Sequence, residues 1–367
     1  MSPPGSSVLL RVATLLAAMA PAAITRAALP HALAIADDVA NRVLLFAPYD
    51  GEYVGELVPP DAEHLTAPWD CEIGPALQQA GKQYPDTILV SDLRKRAVVA
   101  YDAVSGKFIK TLIADVDAHG LAYGRDGKLL VAAGKAGVRA YEPSGTFVAT
   151  RVAPELVDGP NNAWDVLVRP LVDGGAGDML VGDPTLDVIV RLDLSGKRLG
   201  LFAKLPAFRF VEHLALRRDG RVLAVDVFGN AVHEFQPDGT WLRSISVTRP
   251  RGVFELFNGH LLVASEQGVQ VFDGQNGTLR ETKLAGYPTS APRCIRYLRG
   301  LTPGVVGDLN CDFTVNNFDI DPFVLALTNP SKYEQRFPLC DRMLADTSGD
   351  GVVNNFDIDP FVRLLAP

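Results

Sequence analysis

No basic stripe, no long apolar run and no catalytic signature motif marks this chain of 367 residues. Lysine and arginine number 35 against 43 aspartates and glutamates, a formal charge of -8, which argues against nucleic acid as a partner. The apolar segment at 12–24 is too short to cross a bilayer, so no transmembrane segment is expected. It follows Arg11 and ends in Thr25-Arg26-Ala27-Ala28, the pattern of a secretory signal peptide cut near Ala27 or Ala28. Residues 1–28 are therefore read as a signal peptide, and the mature protein as secreted or held at the cell surface. Nucleophile-elbow, Walker and HExxH patterns are missing, and the six histidines nowhere form an HxH pair. Cysteine is scarce, four in all, a number that suits export. Cys311 and Cys340 are placed to staple a small C-terminal unit. Cys71 and Cys294 fall on segments expected to be neighbours, as a disulfide or as two small buried hydrophobes.

What the chain does contain is concentrated at its end. The string NNFDIDPFV occurs at 316–324 and again at 354–362, and the acidity gathers there too: 307–367 holds ten acidic residues and four basic ones. Each copy is preceded by oxygen-bearing side chains at alternate positions. They are Asp308, Asn310, Asp312, Asn316 and Asp319 in the first loop, and Asp346, Ser348, Asp350, Asn354 and Asp357 in the second. The position 7 carbonyls come from Thr314 and Val352. Ligands at positions 1, 3, 5, 7, 9 and 12, with a helix following, form the oxygen cage of a Ca²⁺ loop. The expected cofactor is therefore Ca²⁺. Loop two has Gly351 at its sharp turn, whereas loop one has Phe313 there, and both end in Asp where Glu is usual.

Between residues 30 and 298 a pattern recurs about every 45 residues. A short apolar strand, often ending in Asp, appears as ALAIAD, TILVSD, KLLVAA, DMLVGD, RVLAVD and HLLVAS. An alternating strand and a turn follow each copy. A glycine then opens a third strand, at Gly51, Gly106, Gly145, Gly196, Gly239 and Gly277. Fourth strands are WDCEIG, HGLAYG, AWDVLV, EHLALR, RGVFEL and RCIRYL. Period-2 alternation with Ser-Gly, Asp-Gly and Asn-Gly turns reads as antiparallel hairpins. The last strand, RCIRYL, is left over at one end and ALAIAD lacks its fourth partner at the other. Pairing them closes a ring without free edges. The expected fold is all-β, a six-bladed β-propeller over 29–299, then a linker over 300–306 and a small α-helical calcium-binding domain over 307–367.

Pro250-Arg251-Gly252-Val253, and Ala118-His119-Gly120-Leu121 with alanine for proline, match the Pro-x-Gly-apolar start of the inner strand in a known propeller family. On these residues the repeats resemble NHL-like six-bladed propellers, although Asp70, Asp165, His213 and Cys294 replace the glycine in other copies. GDLNCD and TSGDGVVNNFD, in tandem before two apolar helices, resemble a type I dockerin with paired EF-hand loops. That resemblance implies docking through loop positions 10 and 11, here Asn317 and Phe318, and Asn355 and Phe356, onto a cohesin-like protein. The same two phenylalanines are otherwise expected to pack into the small domain's own core.

Inner-strand starts face the mouth of a propeller's channel. The polar and aromatic set expected there is Trp69, Asp70, His119, Trp164, Asp165, Glu212, His213, Arg251 and Arg293. Two readings follow. The first is a secreted calcium-binding interaction protein whose propeller binds a ligand or protein while the tail docks it to a larger assembly. The second, implied by the usual company of dockerins, is an extracellular polysaccharide-active hydrolase or lyase with a catalytic propeller. A clustered His119–Glu212–His213 site would favour the enzyme, and a channel plugged by Trp69 and Trp164 the binder.

Overall fold

The computed structural model describes residues 32–84, 86–154, 160–169, 177–286, 290–298, 306–310, 315–337, 340 and 342–365. The expected signal peptide, most of the linker, and Cys311, Asp312, Phe313 and Thr314 of the first loop lie outside them. Six four-stranded antiparallel sheets are arranged as the blades of a propeller. Their inner strands are Pro292–Leu298, Pro68–Gly74, Leu121–Tyr123, Asp165–Arg169, Val211–Leu216 and Pro250–Glu255, numbered here as blades 1 to 6. Blade 1 is built from both ends of the chain. Ala32–Asp37 pairs with Arg42–Phe46 on one side and with Pro292–Leu298 on the other. The closure expected from the unpaired terminal strands is present, and the ring has no exposed seam.

Both faces of each blade are buried, which explains the near-continuous apolar character of the second strands. In Ala32–Asp37, Ala32, Ala34 and Ala36 pack toward blade 2, while Leu33 and Ile35 pack toward blade 6. Equivalent cores join blades 2 to 3, 3 to 4, 4 to 5 and 5 to 6. The recurring glycine has a specific task. Gly145, Gly196 and Gly239 hold φ of +91°, +95° and +95°, a region that costs other residues conformational energy. A Cβ there would also meet the carbonyl oxygens of Leu112, Arg151 and Phe202 at 2.3, 1.9 and 2.1 Å. The turns of blades 3, 4 and 5 thus rest on the outer strand of the blade before each.

The aspartate that ends four of the second strands is structural. Asp37, Asp92, Asp183 and Asp226 are fully buried. Asp183 accepts amides from Asn161 and Asn162 on the approach to the inner strand and from Thr185 and Leu186 in its own turn. Asp226 does the same for Arg209, Phe210 and Gly229. Charge-assisted bonds of this kind contribute roughly 1.5–3 kcal/mol each, and they fix the loops that deliver residues to the channel. One element had no counterpart in the sequence pattern: a small hairpin, Leu77–Gln79 with Lys82–Tyr84, inserted after the inner strand of blade 2.

After the propeller the chain forms three short helices, α1 (Ile320–Thr328), α2 (Pro330–Arg336) and α3 (Ile358–Leu365). Helices α1 and α3 are the expected pair, one after each oxygen-bearing loop. Helix α2 was not foreseen; Asn329 caps it and Pro330 opens it. The two repeats meet through equivalent residues, because Phe323 and Phe361 stack with ring centroids 3.9 Å apart and planes 3° apart. Tyr333, Leu344 and Leu309 complete this small core. Cys340 is disulfide-bonded, while Cys71 and Cys294 are free and buried. The possible bond between the latter two is therefore corrected: both act as small buried hydrophobes, and burial pushes both thiols well above their ordinary range. No helix among the described residues is long and apolar enough to cross a membrane.

Candidate functional site

The nine residues expected at the channel mouth divide into two layers. In the outer layer Trp69, His119 and Trp164 form one aromatic cluster. Trp69 meets Trp164 edge-on at 5.3 Å, and His119 lies tilted against Trp164 at 4.4 Å. The chain continues the cluster through Phe210, at 4.7 Å from Trp164, and Phe228 beyond it. On the other side the Arg293 guanidinium sits 4.5 Å over the Trp69 ring, a cation–π contact. Burial holds the His119 imidazole down at about 4, against the modest upward pull of Asp117. It is therefore neutral at physiological pH.

Glu212 anchors the basic side of this layer. It is fully buried and accepts from Arg251 Nη1 at 2.7 Å, while its second oxygen lies 3.9 Å from Arg293 Nη1 without a hydrogen bond. Burial raises its carboxyl above the usual range although both arginines oppose that shift. Arg293 donates in turn to Asp38. Trp69 Nε1 and His119 Nδ1 have no hydrogen-bond partner among the described residues.

One layer deeper is a charged bridge whose centre the sequence reading missed. Arg296 of blade 1 donates to Asp70 of blade 2 through Nε, at 2.8 Å, and Nη2, at 2.7 Å, and from Nη2 to Asp165 of blade 4 at 2.7 Å. Asp70 also accepts the Leu121 amide of blade 3, and Asp165 the Leu214 amide of blade 5, each at 2.8 Å. Five of the six blades are joined at this level. Asp70 and Asp165 stand where other copies of the repeat carry glycine, and Gly120 between them supplies the space. A Cβ on Gly120 would meet Asp165 Oδ1 at 2.2 Å. Burial alone would raise the Asp165 carboxyl, but Arg296 and then His213 hold it well below the carboxylate range. His213 Nδ1 lies 3.0 Å from Asp165 Oδ2, close enough for an ion pair but not angled for a hydrogen bond.

The catalytic constellation His119–Glu212–His213 does not form. His119 belongs to the aromatic layer, Glu212 turns to Arg251, and its neighbour His213 turns the other way, to Asp165. Among the described residues no group of three or more His, Cys, Asp or Glu side chains is disposed to hold a metal ion.

In the second C-terminal loop, Asp346 reaches across to accept the amides of Gly349, Asp350 and Gly351 at 2.9, 3.1 and 2.7 Å. Gly351 makes the expected turn with φ +85°. Asp357 is buried and accepts the Ser348 and Asn354 amides. In the first loop Asp319 likewise accepts the amides of Leu309, Asn310 and Asn316. Asn354 turns its amide nitrogen to the Val352 carbonyl at 3.1 Å. The donor chemistry fits Ca²⁺ in kind, being all oxygen and curled about the leading carboxylate. An ion there would draw on Ser348, Asn354 and the Val352 carbonyl beside Asp346, Asp350 and Asp357. Asp308, Asn310, Asn316 and Asp319 sit in the corresponding first loop, of which Asp312 and Thr314 are outside the described residues. Phe318 and Phe356, which follow Asn317 and Asn355, do not enter the core: they are 79% and 78% exposed.

No protein-family model matches the chain, and no curated protein matches it in sequence. Among solved structures it is similar to a chain of a nidogen/laminin complex, at 13% identity and a TM-score of 0.54, over 73% of this chain and 99% of that one. It is also similar to a protein of unknown function from Bacteroides caccae, at 14% identity and 0.48, over 74% and 100%. A streptogramin B lyase follows at 13% and 0.46, over 70% and 80%. At these identities the likeness is one of fold, and the fold is an all-β six-bladed propeller with a small helical C-terminal region.

Proposed function

We propose that this is a secreted, calcium-binding interaction protein. Its propeller captures a ligand or protein at the channel mouth, and its dockerin-like tail docks it to a larger extracellular or cell-surface assembly through a cohesin-like partner. The observation that carries the binding reading over the catalytic one is the aromatic closure of the mouth. Trp69, His119 and Trp164 pack against one another at the starts of their inner strands, with Trp69 and His119 nearly buried, and each carboxylate nearby is held by an arginine. General acid–base work needs a titrating group near neutrality within reach of a substrate, and neutral His119, packed between two indoles, does not meet that need. Rigid indoles, with the Trp69 N–H unpaired among the described residues, suit recognition instead.

The docking half is supported by Phe318 and Phe356. Two large aromatics held in solvent at equivalent positions of a twofold repeat suit a partner surface better than a free one. The equal pairs Asn317-Phe318 and Asn355-Phe356 offer two equivalent docking orientations. The test is a calorimetric Ca²⁺ titration of the full chain, wild type against D346A/D350A. Two sites are expected in the wild type, with one lost in the variant; no calcium-dependent heat would overturn the docking half. For the propeller, release of reducing ends or unsaturated products from polysaccharides, abolished by E212Q, would overturn the binding reading. It would establish the alternative, a polysaccharide-active hydrolase or lyase.

A further inference from the structure

Blade 5 departs from its neighbours at one buried position. Where the third strands of blades 1, 2 and 4 place Leu44, Val99 and Val190, it carries His233, 2% exposed. His233 belongs to Ala231–Phe235 and lies directly opposite Ser244 of the outer strand Trp241–Ser246. Its Nδ1 is 2.7 Å from Ser244 Oγ. On the other side Nε2 is 3.5 Å from Asp226 Oδ2 and has no hydrogen bond among the described residues. Phe208 packs against the imidazole with ring centroids 5.1 Å apart. Ser244 is exposed and Asp226 fully buried. None of the three belongs to the aromatic mouth, the charged bridge or the calcium loops.

A hydroxyl, an imidazole and a carboxylate in that order are the parts of a nucleophilic serine site, which is identified by roles and not by position in the chain. With Nδ1 accepting from the hydroxyl, the imidazole proton sits on Nε2, the nitrogen that faces Asp226. Burial would raise the Asp226 carboxyl, but His233 and the amides of Gly229, Phe210 and Arg209 hold it below its ordinary range. The carboxylate is therefore charged where an imidazolium would form. At 3.5 Å the contact between Nε2 and Asp226 is longer than a hydrogen bond, and such contacts shorten once the imidazole takes up a proton.

Two features give the site a substrate class. Side chains two apart in a strand share a face, so Trp241, opposite Phe235, flanks Ser244, opposite His233. Trp241 is half exposed, and its indole offers flat apolar support to an acyl or aryl group. The outer strand is also the edge of its sheet, so alternate amides along it face outward unpaired, where a developing oxyanion can meet them. We propose that Ser244, with His233 as its base and Asp226 positioning the imidazole, is a nucleophilic site for esters that carry an apolar or aryl group. Ser244 Oγ attacks the ester carbonyl carbon as its proton passes to His233 Nδ1. The carbon–oxygen bond to the leaving alcohol breaks, and that alcohol takes the proton from Nδ1. Water, giving a proton to the same nitrogen, then attacks the acyl-serine, and the acid leaves as the proton returns to Ser244 Oγ.

A fluorophosphonate probe on the full chain, with the labelled serine located by mass spectrometry, tests the nucleophile. Ser246 is the internal control, because it is exposed on the same face but stands opposite Ala231. Ser244 should label about a hundredfold faster than Ser246, and H233Q should remove that advantage. S244A, at an exposed position, keeps the fold and should lose both the label and the hydrolysis of p-nitrophenyl butyrate. Nitrogen NMR of histidine-labelled protein should find the His233 proton on Nε2, and D226N should move it to Nδ1. Equal labelling of the two serines, hydrolysis that survives S244A, or a proton on Nδ1 in the wild type would overturn the site. A D226N protein with the wild-type tautomer would overturn the role of Asp226; where D226N fails to fold, the wild-type tautomer stands as the test.

Discussion

His119→Phe should make the propeller resistant to mild acid, and the size of the effect follows from the site. His119 is 6% exposed, packed against Trp69 and Trp164, with Nδ1 unpartnered. Burial lowers its pKa to about 4 from the ordinary 6.5. In the unfolded chain the imidazole takes up a proton as pH falls through about 6.5, whereas in the folded protein it does so only near 4. Between those values the unfolded state binds more protons, so stability falls as pH falls. At 1.36 kcal/mol per unit the loss attributable to this residue reaches about 3 kcal/mol at pH 4 and then levels off. Phenylalanine keeps the ring contacts and cannot titrate, and the Ser91 hydroxyl bonds the residue 119 carbonyl, which the substitution retains. Urea unfolding of both proteins at pH 7, 5.5 and 4 isolates the term, because every other group contributes equally to the two. The difference in stability should shift by about 3 kcal/mol in favour of the variant from pH 7 to pH 4. Parallel pH dependence would refute the argument that His119 is buried and neutral.

Arg296→Met leaves Asp70 and Asp165 buried without their shared cation and should cost about 3–5 kcal/mol by chemical denaturation; a loss under 1 kcal/mol would show that the bridge is solvated. Gly196→Ala forces a Cβ to within 1.9 Å of the Arg151 carbonyl at φ +95° and should destabilise by about 1–3 kcal/mol, read as a lowered urea midpoint. Chelating Ca²⁺ from the full chain should abolish the near-ultraviolet signal of the stacked Phe323 and Phe361 while the β-sheet far-ultraviolet spectrum persists, since only the tail crowds carboxylates that an ion would offset. The double variant F318A/F356A should unfold within about 0.5 kcal/mol of wild type, because both rings are solvent-exposed; a larger loss would return them to the core.

Much of the architecture was legible because it repeats. Alternating strands, glycine-led turns and a spare strand at each end were enough for the blade number and the closure. Gly145, Gly196 and Gly239 announced turns, but not that a neighbouring blade's carbonyl would rest against each. The terminal aspartates of Asp37, Asp92, Asp183 and Asp226 were visible as a pattern without a role, since their partners are amides of the loops that lead into the inner strands. The hairpin after residue 74 and helix α2 broke the repeat, and periodicity has no hold on what occurs once. For the candidate site, the nine residues expected at the mouth were chosen by position within the repeat, and position alone could not give their grouping: Glu212 and His213 are adjacent in sequence and serve different layers.

By itself the sequence determined the local terms: strand alternation, the left-handed turns that glycine permits, the tandem oxygen ladder and the two phenylalanines beside it. Each depends on residues a few positions apart, where backbone geometry leaves few alternatives. Only the tertiary structure decided that Arg296 stands at the centre of the channel. Its partners Asp70 and Asp165 lie 226 and 131 residues away in the chain, and nothing short of the closed ring brings three blades close enough for one guanidinium to bridge two buried carboxylates.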